Sequence, residues 1–403
     1  MRMTYDYSAL DALLTSALGR VFPAAQVHIR IAGDVIYDAS FGYLDPEARM
    51  HPTDAATRFD LASVSKLFTA VTFMTLVEQN RVALDQPVAD VLPQFQGRRP
   101  ICPYPDPLRP GHVVAVVPST EEQVDAGQVT FRQLLSHNAG LPAWLPLWKM
   151  AAEWQRTLPA QEVQARLREA VYATAFACPP GSRVLYSDIG MLLIGFAIEA
   201  LTGTTLRDAV RERVTAPLGL ASITYGPIPC DSGRVAPTEF YAHHGRRMCG
   251  EVHDENAFAF GGVAGHAGLF GTAHDVAAFG EALRRTLQGA DQRLLKQETL
   301  AEMVRLQAQD GDPPTGTGTT VRRGLGFALR SPRPDAMSHA LSERAFGHLG
   351  FTGTSLWVDP ARDLVFACLT NHIYYGRDGE DTMTPFRTVL AQTVVEMLQT
   401  RGK

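Results

Sequence analysis

A serine and a lysine, Ser63 and Lys66, stand three residues apart inside the apolar stretch FDLASVSKLFTA (59–70). On a helix, residues at that spacing share a face. A serine hydroxyl alone is a weak nucleophile, but an amine within hydrogen-bond reach can take its proton. Burial and nearby positive charge bring a lysine's pKa towards a usable range. The apolar helix supplies the burial. The competing account is an N-capping serine followed by a lysine whose ammonium snorkels to water.

Two further stretches carry matching chemistry. In PPGSRVLYSDIGMLLIGFAIEALTG (179–203), a Pro-Gly turn leads to Tyr186-Ser187-Asp188 and then an apolar helix. A tyrosine beside the lysine relays protons to a leaving group, and Asp188 either pairs with Lys66 or caps the helix. In GHLGFTGTSLWVDP (347–360), a glycine-dense strand lets substrate backbone approach closely. There the amides of Phe351 and Ser63 are placed to form an oxyanion hole. His348 is placed to orient a substrate carbonyl or carboxylate, with Gly350 beside it.

The stretch GEVHDENAFAFGGVAGHAGLFGTAHD (250–275) packs Glu251, His253, Asp254, Asn256 and His266 among glycines. No pair has metal-ligand spacing in the chain, so no metal is expected, and His266 is read as a cleft-lining residue. His137 in LLSHNAG reads as a helix-end residue satisfying carbonyls. Arg246, Arg247 and the adjacent histidine pair read as a solvated basic loop. Trp144, Trp148 and Trp154, with Leu145 and Leu147, fit either an acyl pocket or a helical core.

Composition narrows the partners. The chain has 403 residues, 45% hydrophobic and 20% charged, with a net charge of −5. That balance gives no electrostatic reason to expect nucleic acid or an anionic membrane. Five widely spaced cysteines (Cys102, Cys178, Cys230, Cys249, Cys368) read as free thiols in a reducing compartment. The N-terminus lacks a signal-peptide pattern, and the longest apolar run (189–198) is too short to span a bilayer. A cytoplasmic protein acting on a small-molecule ester or amide, without a cofactor, is the expectation.

The elements that must position these residues follow from periodicity. A helix is expected over 6–20, and a β-hairpin over 26–45 with one solvated and one covered face. A buried helix follows over 62–82, with Ser63 at its N-cap. Residues 97–128 read as a Pro-rich irregular insertion. Helices are expected near 130–142, 160–176, 188–202, 205–213 and 272–287, and a flexible loop at 310–320. Strands return at 324–330, 348–360 and 363–371, before a last helix at 384–400. The fold class is α+β: an antiparallel sheet flanked by helices and built from both chain ends (1–62 and 318–403), with a mainly helical subdomain (63–317) inserted.

Ser63-x-x-Lys66, Tyr186-Ser187-Asp188 and His348-Leu349-Gly350, in this order, resemble the serine β-lactamase and penicillin-binding-protein superfamily, in particular its class C-like esterase and D-aminopeptidase branch. The resemblance implies an acyl-enzyme on Ser63, with Lys66 and Tyr186 moving protons. It departs in three places. Members that hydrolyse antibiotics carry Lys-Thr-Gly where His348-Leu349-Gly350 stands, and Asn where Asp188 stands. A weaker cation at 348 and no donor at 349 favour a less charged substrate. The expectation is a carboxylesterase on short acyl esters with weak or absent β-lactamase activity. The alternatives are a peptidase or amidase on D-amino-acid or cell-wall peptides, and a non-catalytic homologue.

Overall fold

The computed structural model describes residues 5–106, 109, 111–115, 122–230, 233–242, 245–310 and 321–399. The histidine pair 243–244 and the expected loop from 311 onward lie outside the described residues. A nine-stranded antiparallel sheet forms one layer. Its order is Ala308–Asp310, Val321–Arg323, Ala328–Leu329, Phe346–Leu349, Ser355–Asp359, Leu364–Thr370, Ala24–Ile31, Asp34–Asp45 and Met50–Pro52. First and last parts of the chain meet at its centre, where Ala25 pairs with Thr370 and Ile31 with Leu364.

Side chains alternate across a strand, so each central strand feeds two cores. Val365, Ala367 and Leu369 face helix Ala273–Leu287 and the helical layer. Leu364, Phe366 and Cys368 face helices Ser8–Ala17 and Met383–Gln399, through Leu10, Leu14, Phe386, Leu390 and Val394. The expected solvated face of the 26–45 hairpin is therefore corrected. Its first strand is buried on both faces, because the terminal helices cover the side that alternation assigns to water. Only the second strand, towards the sheet edge, is partly exposed.

The helical layer centres on Ser65–Glu78, packed against Asp188–Thr202, with Phe131–Leu135 packed on the latter. The first two helices are apolar all round and accordingly buried. Among the described residues no single helix is long and apolar enough to cross a membrane. Within residues 63–317, helix Ala273–Leu287 and strand Ala308–Asp310 belong to the sheet layer. The described part of the 97–128 insertion is also more ordered than its proline content suggests. Arg98–Pro100 pairs with Gln123–Asp125, and Tyr104–Pro105 with Val113–Val114. The buried Arg99 anchors it by donating to the Thr174 carbonyl at 3.2 Å.

The cysteine reading is corrected too. Cys230 and Cys249 form a disulfide, leaving Cys102, Cys178 and Cys368 free. The flanking chain doubles back on itself, with the Ile228 N–H donating to the Gly250 carbonyl at 2.8 Å. A separation of 19 residues in the sequence does not reveal that return.

Candidate active site

The segment carrying Ser63 begins at the short strand Phe59–Asp60. Asp60 is buried, and its carboxylate accepts the Ala62 N–H at 2.8 Å and the His253 N–H at 2.7 Å. It thereby holds Ala62 at a φ of 46°, a left-handed conformation that costs an L-residue about 1–2 kcal/mol. The turn Ala62–Val64 presents Ser63, and the helix proper starts at Ser65 without a side-chain cap. Ser63 is therefore not the expected N-cap. Its hydroxyl turns instead to Lys66, whose Nζ donates to Oγ at 2.8 Å.

Lys66 is fully buried. Besides Ser63, its Nζ lies 2.8 Å from Asp188 Oδ1 and donates to the His266 carbonyl at 3.0 Å. Three partners match the three protons of an ammonium. Burial pulls the Lys66 pKa down, but the Asp188 carboxylate and then Tyr186 outweigh it, and the net shift is upward. Tyr186 places its ring centroid 4.8 Å from Nζ, and its hydroxyl interacts with both Lys66 and Ser63. Burial raises the Tyr186 pKa, and Lys66 opposes the rise.

The loop carrying Tyr186 is clamped by His137, which sits at a φ of 57°. The Leu185 N–H donates to the His137 carbonyl at 2.7 Å, and the Ser187 N–H donates to Nδ1 at 3.1 Å. His137 thus receives an amide proton rather than satisfying helix-end carbonyls. Ser187, not Asp188, caps the following helix by accepting the Gly190 N–H at 3.1 Å. That leaves the Asp188 carboxylate free for Lys66.

Behind Lys66 lies a pair, the buried His266 and the partly buried Asp254, that chain spacing could not reveal. His266 Nε2 meets Asp254 Oδ1 at 2.8 Å, and Asp254 also caps the helix Glu255–Ala259. Burial alone would raise the Asp254 pKa, but His266 beside it and the nearby Lys66 bring it down. Ligand-type atoms of Asp188, Asp254 and His266 fall within 4.8 Å of one another. Positive charge for this cluster already comes from Lys66. His266 is 1% exposed and reaches the site through its carbonyl, so it does not line the cleft as expected. His253 and Asn256 are structural. The His253 ring bonds Glu239, and Asn256 bridges the Trp148 N–H and the Leu145 carbonyl.

The sheet side is a cleft of about 470 Å³, lined in part by Ser63, Tyr186, His348, Leu349, Gly350 and Phe351. Thr352 and Thr354 donate to the Asp60 and Leu61 carbonyls at 2.7 and 2.9 Å, tying the turn to the nucleophile segment. Gly350 makes that approach possible: a Cβ there would stand 2.0 Å from Thr354 Oγ1 and 2.7 Å from the Leu61 carbonyl. His348 donates from Nδ1 to the Leu349 carbonyl at 2.7 Å. Burial, then Arg323 and Lys66, push its pKa well below the ordinary histidine value, so it is a neutral imidazole. The Phe351 ring stacks on His253, with centroids 5.7 Å apart.

Arg323, Arg387 and Trp357 complete this wall and were not singled out from the sequence. Arg323 pairs in register with Ala328, Ala328 with Gly347, and Gly347 with Trp357. The two small residues in that row open space between the guanidinium and the indole. The tryptophan cluster lies elsewhere: Leu147 is core, and Leu145, Trp148 and Trp154 pack against it. Arg246 pairs with Glu251, and Arg247 donates to the Thr238 and Tyr374 carbonyls at 2.9 and 2.8 Å. Arg246 remains exposed, as a solvated basic loop requires, whereas Arg247 is partly buried on those carbonyls and departs from that reading.

An antiparallel sheet, a helical layer and a serine–lysine–tyrosine cluster at their seam describe a serine hydrolase of the penicillin-recognising kind. The sequence matches the Beta-lactamase family over residues 10–384, and the chain belongs to that family. It is 25% identical over 385 residues to a putative D-alanyl-D-alanine carboxypeptidase of Salmonella agona, covering 90% of this chain and 82% of the relative. Among solved structures it resembles EstCE1, a hydrolase with promiscuous acyltransferase activity (TM-score 0.66, 22% identity, 95% and 97% of the two chains). It also resembles simvastatin synthase LovD of Aspergillus terreus (TM-score 0.70, 18% identity, 98% and 100% of the two chains). At these identities the two structures support the shared fold.

Proposed function

We propose that the protein is a carboxylesterase that transfers a short acyl group to Ser63 and then to water. The observation that carries this reading is the buried Lys66 Nζ, 2.8 Å from both Ser63 Oγ and Asp188 Oδ1. As Ser63 attacks the carbonyl, Lys66 takes its proton while passing one towards Asp188. Tyr186 delivers a proton to the leaving oxygen. The amides of Ser63 and Phe351 receive the oxyanion; Ser63 lies in the first turn of a helical segment, where N–H groups lack intrahelical partners. A neutral His348 and an apolar Leu349 favour an uncharged acyl part.

The test is hydrolysis of p-nitrophenyl butyrate by the wild type and by Ser63→Ala, with fluorophosphonate labelling alongside. The wild type turns over and labels; the variant loses about a thousandfold or more in rate and does not label. Equal rates would mean another nucleophile. No turnover and no labelling in a folded sample would favour a non-catalytic homologue. The printed name of the Salmonella relative favours a second reading, a peptidase on D-Ala-D-Ala peptides. Faster cleavage of such a peptide than of simple esters would replace the esterase assignment.

A further inference from the structure

The loop that gives Lys66 one of its acceptors is flanked by glycines. Gly268, at a φ of 117°, follows His266, and Gly265 precedes it. Gly265 lets the loop close on helix Asp188–Thr202: a Cβ there would stand 2.0 Å from the Met191 carbonyl oxygen. The His266 carbonyl and Asp188 Oδ1, at 3.0 and 2.8 Å from Lys66 Nζ, thus come from elements in direct contact. A glycine-flanked loop does not by itself hold a carbonyl in one direction. Its anchor is the buried His266 ring, whose Nε2 meets Asp254 Oδ1 at 2.8 Å. Asp254 is fixed in turn at the start of helix Glu255–Ala259, where it accepts the Ala257 N–H at 2.7 Å. The anchor also carries charge. Asp188, Asp254 and His266 each bring a ligand-type atom within 4.8 Å of the other two, so two carboxylates crowd one ammonium. The acyl-transfer steps use neither the Asp254 carboxylate nor the His266 ring.

We propose that Asp254 and His266 are positioning residues that act on Ser63 through Lys66: the His266 ring aims its own carbonyl at Nζ, and Asp254 is a second counter-ion to the ammonium. This rests on the acyl-transfer reading above and goes beyond it. An anion near the ammonium favours its charged form, and the attraction is mutual: Lys66 is among the groups that keep the Asp254 carboxylate ionised. With the carbonyl direction fixed, the remaining N–H of Lys66 is left to point at Ser63 Oγ. The other titratable groups facing Lys66 are Tyr186, His137 and His348. Those facing Asp254 are Asp60 and Tyr241, with His253 beside it in the chain. All of these stay in place in the variants that follow.

The scarcity of lysine makes the charge of Lys66 directly readable. The chain has four lysines, of which Lys149 and Lys296 are exposed, Lys66 is buried and Lys403 lies outside the described residues. NMR of lysine labelled with carbon-13 at Cε follows each ionisation, with the Lys66 signal assigned by Lys66→Arg. Asp188→Asn removes one anion; Asp188→Asn with Asp254→Asn removes both, and asparagine keeps the helix cap. Lys66 is expected to titrate at lower pH in the double variant than in the single one, because burial, which acts downward, is less opposed. A double variant that titrates no lower overturns the role of Asp254. Hydrolysis of p-nitrophenyl butyrate tests His266. His266→Ala should lower kcat about tenfold at unchanged KM, and His266→Gln, which can still donate to Asp254, should recover part of the loss. No loss, or equal losses in both variants, overturns the role of the ring. If no ester reacts, a lower titration in the double variant upholds Asp254 while the esterase reading fails. The rate of fluorophosphonate labelling of Ser63 then replaces kcat for His266, and no labelling overturns that part.

Discussion

Lys66, fully buried, and Arg323, partly exposed, both stand against the ring of Tyr186, at 4.8 and 5.0 Å, and the fold treats them in opposite ways. Around Lys66 every charge is met within the protein, by Asp188, Ser63 and the His266 carbonyl, with the Asp254–His266 pair behind. Around Arg323 nothing described meets the charge. On the helix side the polar groups already hold one another. On the sheet side the Arg323 guanidinium has no described carboxylate partner. A closed network favours stability when intact, whereas an open one costs stability until a ligand closes it.

The largest effect should come from breaking the closed network. Lys66→Gln leaves Asp188 as a buried carboxylate without its cation and should cost about 3–5 kcal/mol by denaturant unfolding. Lys66→Gln combined with Asp188→Asn should recover most of that stability and none of the ester hydrolysis. If the double variant is as unstable as the single one, Asp188 is not the group that Lys66 neutralises.

The opposite sign is expected across the cleft. Arg323→Met removes a partly buried guanidinium that has no described carboxylate partner, and should stabilise the protein modestly. Packing of a methionine stem against Tyr186 should retain the apolar contact. A destabilisation of similar size would mean that Arg323 is held by the fold rather than left unpaired, and the contrast with Lys66 would collapse.

The two sides also differed in how far they could be read from the sequence. Ser63 and Lys66 are neighbours on one turn, and Tyr186 and Asp188 share one loop, so local periodicity was enough to single them out. What periodicity missed was the detail of caps. Serine at 63 suits an N-cap by type, but the Asp60 carboxylate and the Ala62 backbone turn it elsewhere. Arg323 enters through two strand registers, Arg387 along a terminal helix, and Asp254 through a contact with His266. None has a local signature. Cys230 and Cys249 failed for the same reason, since only the returning chain brings them together.

The smallest shift expected is also the most direct measure of how the closed network works. In the wild type the Lys66 pKa lies above the ordinary lysine value because Asp188 outweighs burial. The stability this contributes is fully present below about 10.4, the unfolded value, and is lost as pH rises through the folded one. A base must shed a proton to accept one from Ser63, so the rate should climb on the alkaline side of neutral. Asp188→Asn removes the main upward influence and leaves burial, which acts downward. The alkaline limb of kcat/KM should then move to lower pH, while the rate at its plateau falls with the loss of the proton relay. Thermal stability should change slope as well: with a depressed lysine the unfolded chain binds more protons, so the variant should gain stability as pH rises towards 10 where the wild type does not. A limb that stays in place would show that Lys66 is not the group whose ionisation the rate follows, and would pass that role to Tyr186, the other buried proton carrier in contact with Ser63.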